Sequence, residues 1–140
     1  MQRFAFLSMA LGMLAAVPAC DGGTQGPELL APEPCLGDAV TLDVRTGSNL
    51  EFAWAPACPV AWLDVYDDAT KAGTWAVSGI GGNVIQPVVR YGLRPADARE
   101  IVAPASLSRG RAYTVRVLRL VAAPGGATTL TPAGVATFTR

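Results

Sequence analysis

The sequence predicts an all-β protein, built as a single antiparallel β-sandwich of about seven strands over residues 35–140. Three observations predict it. Apolar residues alternate with polar ones in short runs, the pattern of half-buried strands rather than helices. Clusters of Gly, Pro, Asn and Asp separate these runs at intervals of about eight to twelve residues. No segment carries a sustained helical repeat, and no internal repeat marks a solenoid or propeller. About a hundred residues follow Cys35, enough for one hydrophobic core and too few for two.

The strands follow in order. Val40, Leu42 and Val44 alternate with Thr41, Asp43 and Arg45, and Leu50, Phe52 and Trp54 alternate with Glu51, Ala53 and Ala55. Thr46-Gly47-Ser48-Asn49 between them supplies turn chemistry, so the two runs form a hairpin. A third strand spans Val60 to Tyr66, with Ala61, Leu63 and Val65 on one face and Trp62, Asp64 and Tyr66 on the other. It stops at Asp67-Asp68-Ala69-Thr70-Lys71-Ala72-Gly73, and a short fourth strand, Thr74 to Ser78, carries Trp75 and Val77. The stretch from Gly79 to Pro95 reads as a loop that carries a short edge strand, Val88 to Tyr91, across the open end of the sandwich. Its glycines lack phosphate-loop spacing and no Gly-Lys-Ser or Gly-Lys-Thr follows them, which argues against a nucleotide site. Arg94 to Glu100 has room for one helical turn at most, because Pro95 and the segment's length oppose more. A late strand from Ala112 to Leu120, the turn Ala123-Pro124-Gly125-Gly126 and a last strand from Ala133 to Thr139 complete the domain.

Within this pattern, Leu107-Ser108-Arg109-Gly110-Arg111-Ala112-Tyr113-Thr114-Val115-Arg116-Val117 resembles the segment of fibronectin type III domains in which a leucine, a glycine turn and a tyrosine precede an alternating strand. Leu50-Glu51-Phe52-Ala53-Trp54 is similar to that family's second strand, whose tryptophan fills the core. The resemblance implies a tyrosine corner at Tyr113, with the ring in the core and the hydroxyl bonded to upstream backbone. The chain departs from the family in its Cys35 and Cys58 pair, in Arg109 where proline is usual, and in the long stretch between Gly79 and Ala105. An immunoglobulin-like variant fits the same strands.

Ahead of the domain, Arg3 precedes an apolar run from Phe4 to Val17 that ends in Pro18-Ala19-Cys20 and gives way to Asp21-Gly22-Gly23. A transmembrane helix needs about 20 apolar residues, and this run is too short. It resembles a bacterial lipoprotein signal, which implies cleavage after residue 19, lipid attachment at Cys20 and a location in the bacterial cell envelope, facing the periplasm or the exterior. An ordinary secretory signal, with Cys20 a bystander, shares the layout. Residues 20–34 read as a tether, flexible at Gly22-Gly23 and stiffened by Pro27, Pro32 and Pro34; an irregular edge strand through Leu29 and Leu30 is the alternative. The chain has three cysteines, so assigning Cys20 to lipid leaves Cys35 and Cys58 as an even pair. An oxidising compartment would join them as a disulfide, worth about 3 kcal/mol for a loop of this length; two buried free thiols are the other reading.

Eleven basic and eleven acidic residues balance the chain, and removing the signal with its Arg3 leaves ten against eleven. With the arginines scattered among carboxylates and no basic stripe, nucleic acid is not an expected partner. The chain has no histidine, no Gly-x-Ser-x-Gly elbow and no spare thiol, so no catalytic residue, cofactor or metal is assigned. Two constellations stand out. Asp64, Asp67 and Asp68 could converge on a calcium ion or act as acid and base of a small glycoside hydrolase, or simply form a solvated turn. Trp62 and Tyr66, with Tyr91 from the long loop, form a candidate ligand-binding surface for a polysaccharide or a protein of the envelope, unless Trp75 and the loop after Gly79 cover them. The expectation is a lipid-anchored, non-enzymatic binding or structural module, the first alternative being a carbohydrate-binding module and the second a small hydrolase at Asp64.

Overall fold

Period-two alternation becomes a pleat in the computed structural model, which describes Cys35 and residues 39–140. The signal segment, Cys20 and the whole of the tether lie outside the described residues. Eight strands form within them and no helix: β1 (Thr41–Thr46), β2 (Leu50–Ala55), β3 (Trp62–Asp67), β4 (Gly73–Gly79), β5 (Val89–Arg90), β6 (Ala98–Val102), β7 (Ala112–Ala122) and β8 (Thr128–Thr139). They make two antiparallel sheets, one in the order β1-β2-β5 and one in the order β6-β4-β3-β7-β8. The fold is all-β and sandwich-like, as the alternation predicts.

Each sheet turns its apolar side chains toward the other. Phe52 of the smaller sheet, wholly buried, meets Phe138 of the larger with ring centroids 5.9 Å apart. Leu50 and Trp54 on β2, Leu63 and Val65 on β3, Trp75 and Val77 on β4 and Val115 and Val117 on β7 complete this layer. Each such side chain contributes about 1.5–3 kcal/mol of burial. On β3 the inner and outer sets are those expected from parity, since Leu63 and Val65 are buried while Trp62, Asp64 and Tyr66 face outward and are only partly covered. The hairpin of β1 and β2 forms through the Thr46-to-Asn49 turn, and the β7–β8 hairpin turns where Gly125 and Gly126 take φ of 93° and 83°.

Three boundaries differ from expectation. Arg94 to Glu100 supplies no helical turn; its end enters β6, which pairs with the edge of β4. Pro95 fixes its own φ, and a single helical turn gains one hydrogen bond where a sheet edge offers several. What survives is a tight turn in which the Ala98 amide donates to the Pro95 carbonyl at 3.2 Å. Val60 lies outside β3 and makes an isolated bridge to Ile85. The last hairpin extends further toward its turn than predicted, because Thr128 to Pro132, which lack alternation, pair with Leu118 to Ala122. The expected edge strand of the long loop is present as β5, paired with β2, and the Asn83 side chain docks that loop on β7 by donating to the Leu120 carbonyl and accepting from its amide, both at 2.8 Å.

Cys35 and Cys58 form a disulfide with Cα atoms 5.4 Å apart, joining the segment before β1 to the connection between β2 and β3. Two buried side chains brace it. Trp54 Nε1 donates to the Cys58 carbonyl at 2.7 Å, and Arg119 Nη1 donates to the Cys35 carbonyl at 2.9 Å while its Nε reaches the Pro59 carbonyl at 3.2 Å. On the other side of β7, β1 crosses against β8 where the Val40 amide donates to the Ala133 carbonyl at 2.8 Å.

Two stability measurements follow from this packing. Replacing Cys35 and Cys58 together with alanine should lower the urea unfolding free energy by about 3 kcal/mol, with the transition still cooperative. A Cβ on Gly134 would lie 2.8 Å from Val40 Cγ2 and 3.0 Å from the Val40 carbonyl oxygen. Gly134→Ala should therefore cost about 1–3 kcal/mol in the same assay, whereas Gly47→Ala, whose Cβ would make an ordinary contact 3.9 Å from the Asn49 carbonyl oxygen, should cost clearly less.

Candidate functional site

The outer face of the larger sheet is assembled by register. Antiparallel pairing sets Asp64 of β3 opposite Arg116 of β7 and Ala76 of β4, so the carboxylate meets a guanidinium on one side and a methyl group on the other. Arg116 Nε donates to Asp64 Oδ1 at 3.0 Å and Nη2 donates to Oδ2 at 2.6 Å, a two-pronged pair. Trp62 Nε1 donates to Oδ2 as well, at 3.1 Å, which fixes the indole beside the pair. The Arg116 guanidinium carbon sits 5.0 Å from the Tyr66 ring centroid, and Lys71 Nζ lies 5.8 Å from it. The carboxylate of Asp64 raises the Arg116 pKa above its already high value, against the opposing effect of partial burial, so this cation is permanent.

These residues line an open groove of about 430 Å³, within the range of small-ligand sites. Trp62, Tyr66, Lys71 and Arg116 line it with Asp64, Gly73 and Ala76, the last two adding little side chain, and with Val102 of β6. Of the pair, Asp64 has 15% of its side chain exposed and Arg116 45%, so the carboxylate is the recessed member and the guanidinium the presented one.

Not all candidate residues come together. The Asp64, Asp67 and Asp68 carboxylates do not share a site, for a reason of parity: Asp64 points outward, while Asp67 falls on the inward register at the end of β3. Asp67 Oδ1 caps the following turn, accepting from the Ala69 and Thr70 amides and from Arg111 Nη2, each at 2.9 Å. Asp68 Oδ1 accepts from Thr114 Oγ1 at 2.6 Å. Among the described residues, no group of three or more His, Cys, Asp or Glu side chains is placed to hold a metal ion. Tyr91 lies away from Trp62 and Tyr66, beside β5 on the smaller sheet. Its ring meets the edge of buried Trp75 at 5.4 Å, and its hydroxyl shares one proton between the Ala105 carbonyl at 2.7 Å and the Thr74 carbonyl at 3.0 Å. Burial pushes the Tyr91 hydroxyl pKa up. Tyr113 is buried against Phe138 with centroids 5.7 Å apart, and its hydroxyl accepts from the Ser108 amide at 2.8 Å. Cys20 lies outside the described residues.

Arg116 and Lys71 are members of the site that sequence reasoning did not select. Their signal is the register of β3 with β7 and the path of the turn after Asp67, neither of which a single sequence displays. No protein-family model, no curated protein and no solved structure matches the chain.

The Asp67 cap has a pH signature. The Thr70 amide, first among its partners and ahead of the opposing effect of burial, holds the Asp67 carboxyl below its ordinary value of 3.8. A carboxyl depressed in the folded state stabilises fully above the unfolded value, about 3.9, and loses that contribution as pH falls through the lower folded value. Asp67→Asn should thus be less stable than the parent near neutrality, and the gap should close as pH drops below about 4, read from urea midpoints across that range.

Proposed function

We propose that this is a lipid-anchored, non-enzymatic protein of the bacterial cell envelope, whose fibronectin type III-like sandwich presents the outer face of its larger sheet to a ligand. The anchor reading rests on the sequence from Arg3 to Cys20, and the disulfide agrees with an oxidising, extracytoplasmic compartment. Support for the fibronectin-like reading comes from the division into sheets of three and five strands, from Trp54 in the core and from the Tyr113 hydroxyl bond to the Ser108 amide.

The observation that carries the binding reading is the open groove over Trp62, Asp64, Tyr66 and Arg116. Partly exposed aromatic side chains on a sheet face turned away from the core present flat, amphipathic surface suited to a ligand. In mechanism, acyl chains at Cys20 would retain the protein, each buried methylene adding about 0.8 kcal/mol with more than one chain needed for stable anchoring. The segment from Asp21 to Pro34 would hold the domain off the bilayer.

The full chain extracted from host membranes should give an intact mass that starts at Cys20 and includes acyl groups, with two further thiols alkylated only after reduction. Cys20→Ser should move the protein to the soluble fraction; a soluble parent protein of unmodified mass would defeat the anchor.

A further inference from the structure

The groove has a length, a charge and a polarity along its axis, and together they specify a ligand class. This inference rests on the outer face being the presented surface. Trp62 and Tyr66 are four residues apart on one face of β3, about 13 Å along an extended strand. A ligand that touches both ends must itself reach about 13 Å, as a short chain of linked rings does.

The two ends differ. At one, the Trp62 indole is held by its hydrogen bond to Asp64 and offers a ring for stacking. At the other, Tyr66 carries two cations, Arg116 and Lys71. Asp64 occupies two prongs of the Arg116 fork, which leaves Lys71 as the uncompensated charge; among the described residues no carboxylate forms an ion pair with it. Lys71, the only lysine of the chain, has φ of 59°. Glycine or asparagine takes that left-handed conformation at lower cost, by about 1–2 kcal/mol for glycine. The Lys71 ammonium lies 5.8 Å from the Tyr66 ring centroid, among the residues that line the groove.

We infer that the groove binds a segment of acidic polysaccharide, one sugar stacking on Trp62 and the carboxylate of a neighbouring uronic acid pairing with Lys71. Pyranose rings supply the apolar C–H face that an indole accepts and the hydroxyl edge that water and polar side chains accept. A single ammonium balances a carboxylate monoanion, and the Arg116 fork, which would read a phosphate bidentately, is taken by Asp64.

The test uses the full chain in detergent, with tryptophan fluorescence and calorimetry as readouts and three probes: hexagalacturonate, neutral maltohexaose and polyphosphate. Hexagalacturonate should bind saturably and more weakly as salt rises. Lys71→Gln should weaken it by about tenfold, a loss of one charged contact. Trp62→Ala should remove binding, and Arg90→Gln, a cation on the smaller sheet, should leave it unchanged. Urea midpoints of the variants separate lost binding from lost folding. Equal binding of maltohexaose with no effect of Lys71→Gln overturns the acidic ligand while the presented face stands. Preference for polyphosphate overturns the carboxylate, and no response to any probe overturns the inference outright without touching the anchor, which the membrane-extracted mass decides separately.

Discussion

β3 is hydrogen-bonded on both sides, to β4 and to β7, and its two-residue pleat decides what every neighbouring strand presents. Leu63 and Val65 commit one side to the core, and the inward sides of β4 and β7 must then carry Trp75, Val77, Val115 and Val117. The other side inherits Trp62, Asp64 and Tyr66, and the same register forces Arg116 opposite Asp64. A slip of β3 by one residue would bring Asp64 inward, away from Arg116, and turn Leu63 and Val65 to water. Core and groove are therefore one constraint seen from two faces. A buried charge without its partner is costly, which makes the Asp64–Arg116 pair a lock on register as well as a feature of the surface.

At the far end of the sandwich the limiting problem is backbone rather than side chain. The chain enters near Cys35 and crosses between sheets near Cys58, and irregular backbone in that position leaves carbonyls without ladder partners. Trp54 takes the Cys58 carbonyl, and Arg119, itself 4% exposed, takes those of Cys35 and Pro59. Hydrogen bonds from a charged donor are stronger than neutral ones, so one guanidinium offsets its own desolvation by satisfying these two carbonyls. The disulfide then closes a segment already tied by these donors.

Local alternation made the strands legible from β1 to β4, and parity alone separated Leu63 from Trp62. Cysteine count led to the Cys35–Cys58 bond, and Gly125-Gly126 marked the last turn. β6 escaped because Ala98 to Val102 is mostly exposed and owes its conformation to a partner distant in sequence, the edge of β4. Arg119 escaped because an arginine in an alternating run reads as a surface residue until the fold encloses it. Arg116 and Lys71 escaped because a site composed across strands needs register. The spread of Asp64, Asp67 and Asp68 follows from pleat and turn geometry, which proximity in sequence conceals.

Tyr91 shows how a residue expected on the face acts on it from beneath. β4 carries one residue more than β3 between Val65 and Tyr66, since Trp75 pairs with Val65 and Gly73 with Tyr66, leaving Thr74 as the bulge. Thr74 is buried and turned inward, its hydroxyl donating to the Val65 carbonyl at 3.0 Å and its own carbonyl accepting from Tyr91. A bulge bends its strand and re-aims the residues beside it. Here it sets Gly73, which has no side chain, beside Tyr66, and Lys71 lies over the ring. The same hydroxyl holds the Ala105 carbonyl, tying the connection between β6 and β7 to the bulge. The shape of the outer face is thus maintained from the inner side, by a tyrosine whose ring rests on the core and whose one proton serves the two carbonyls that position it.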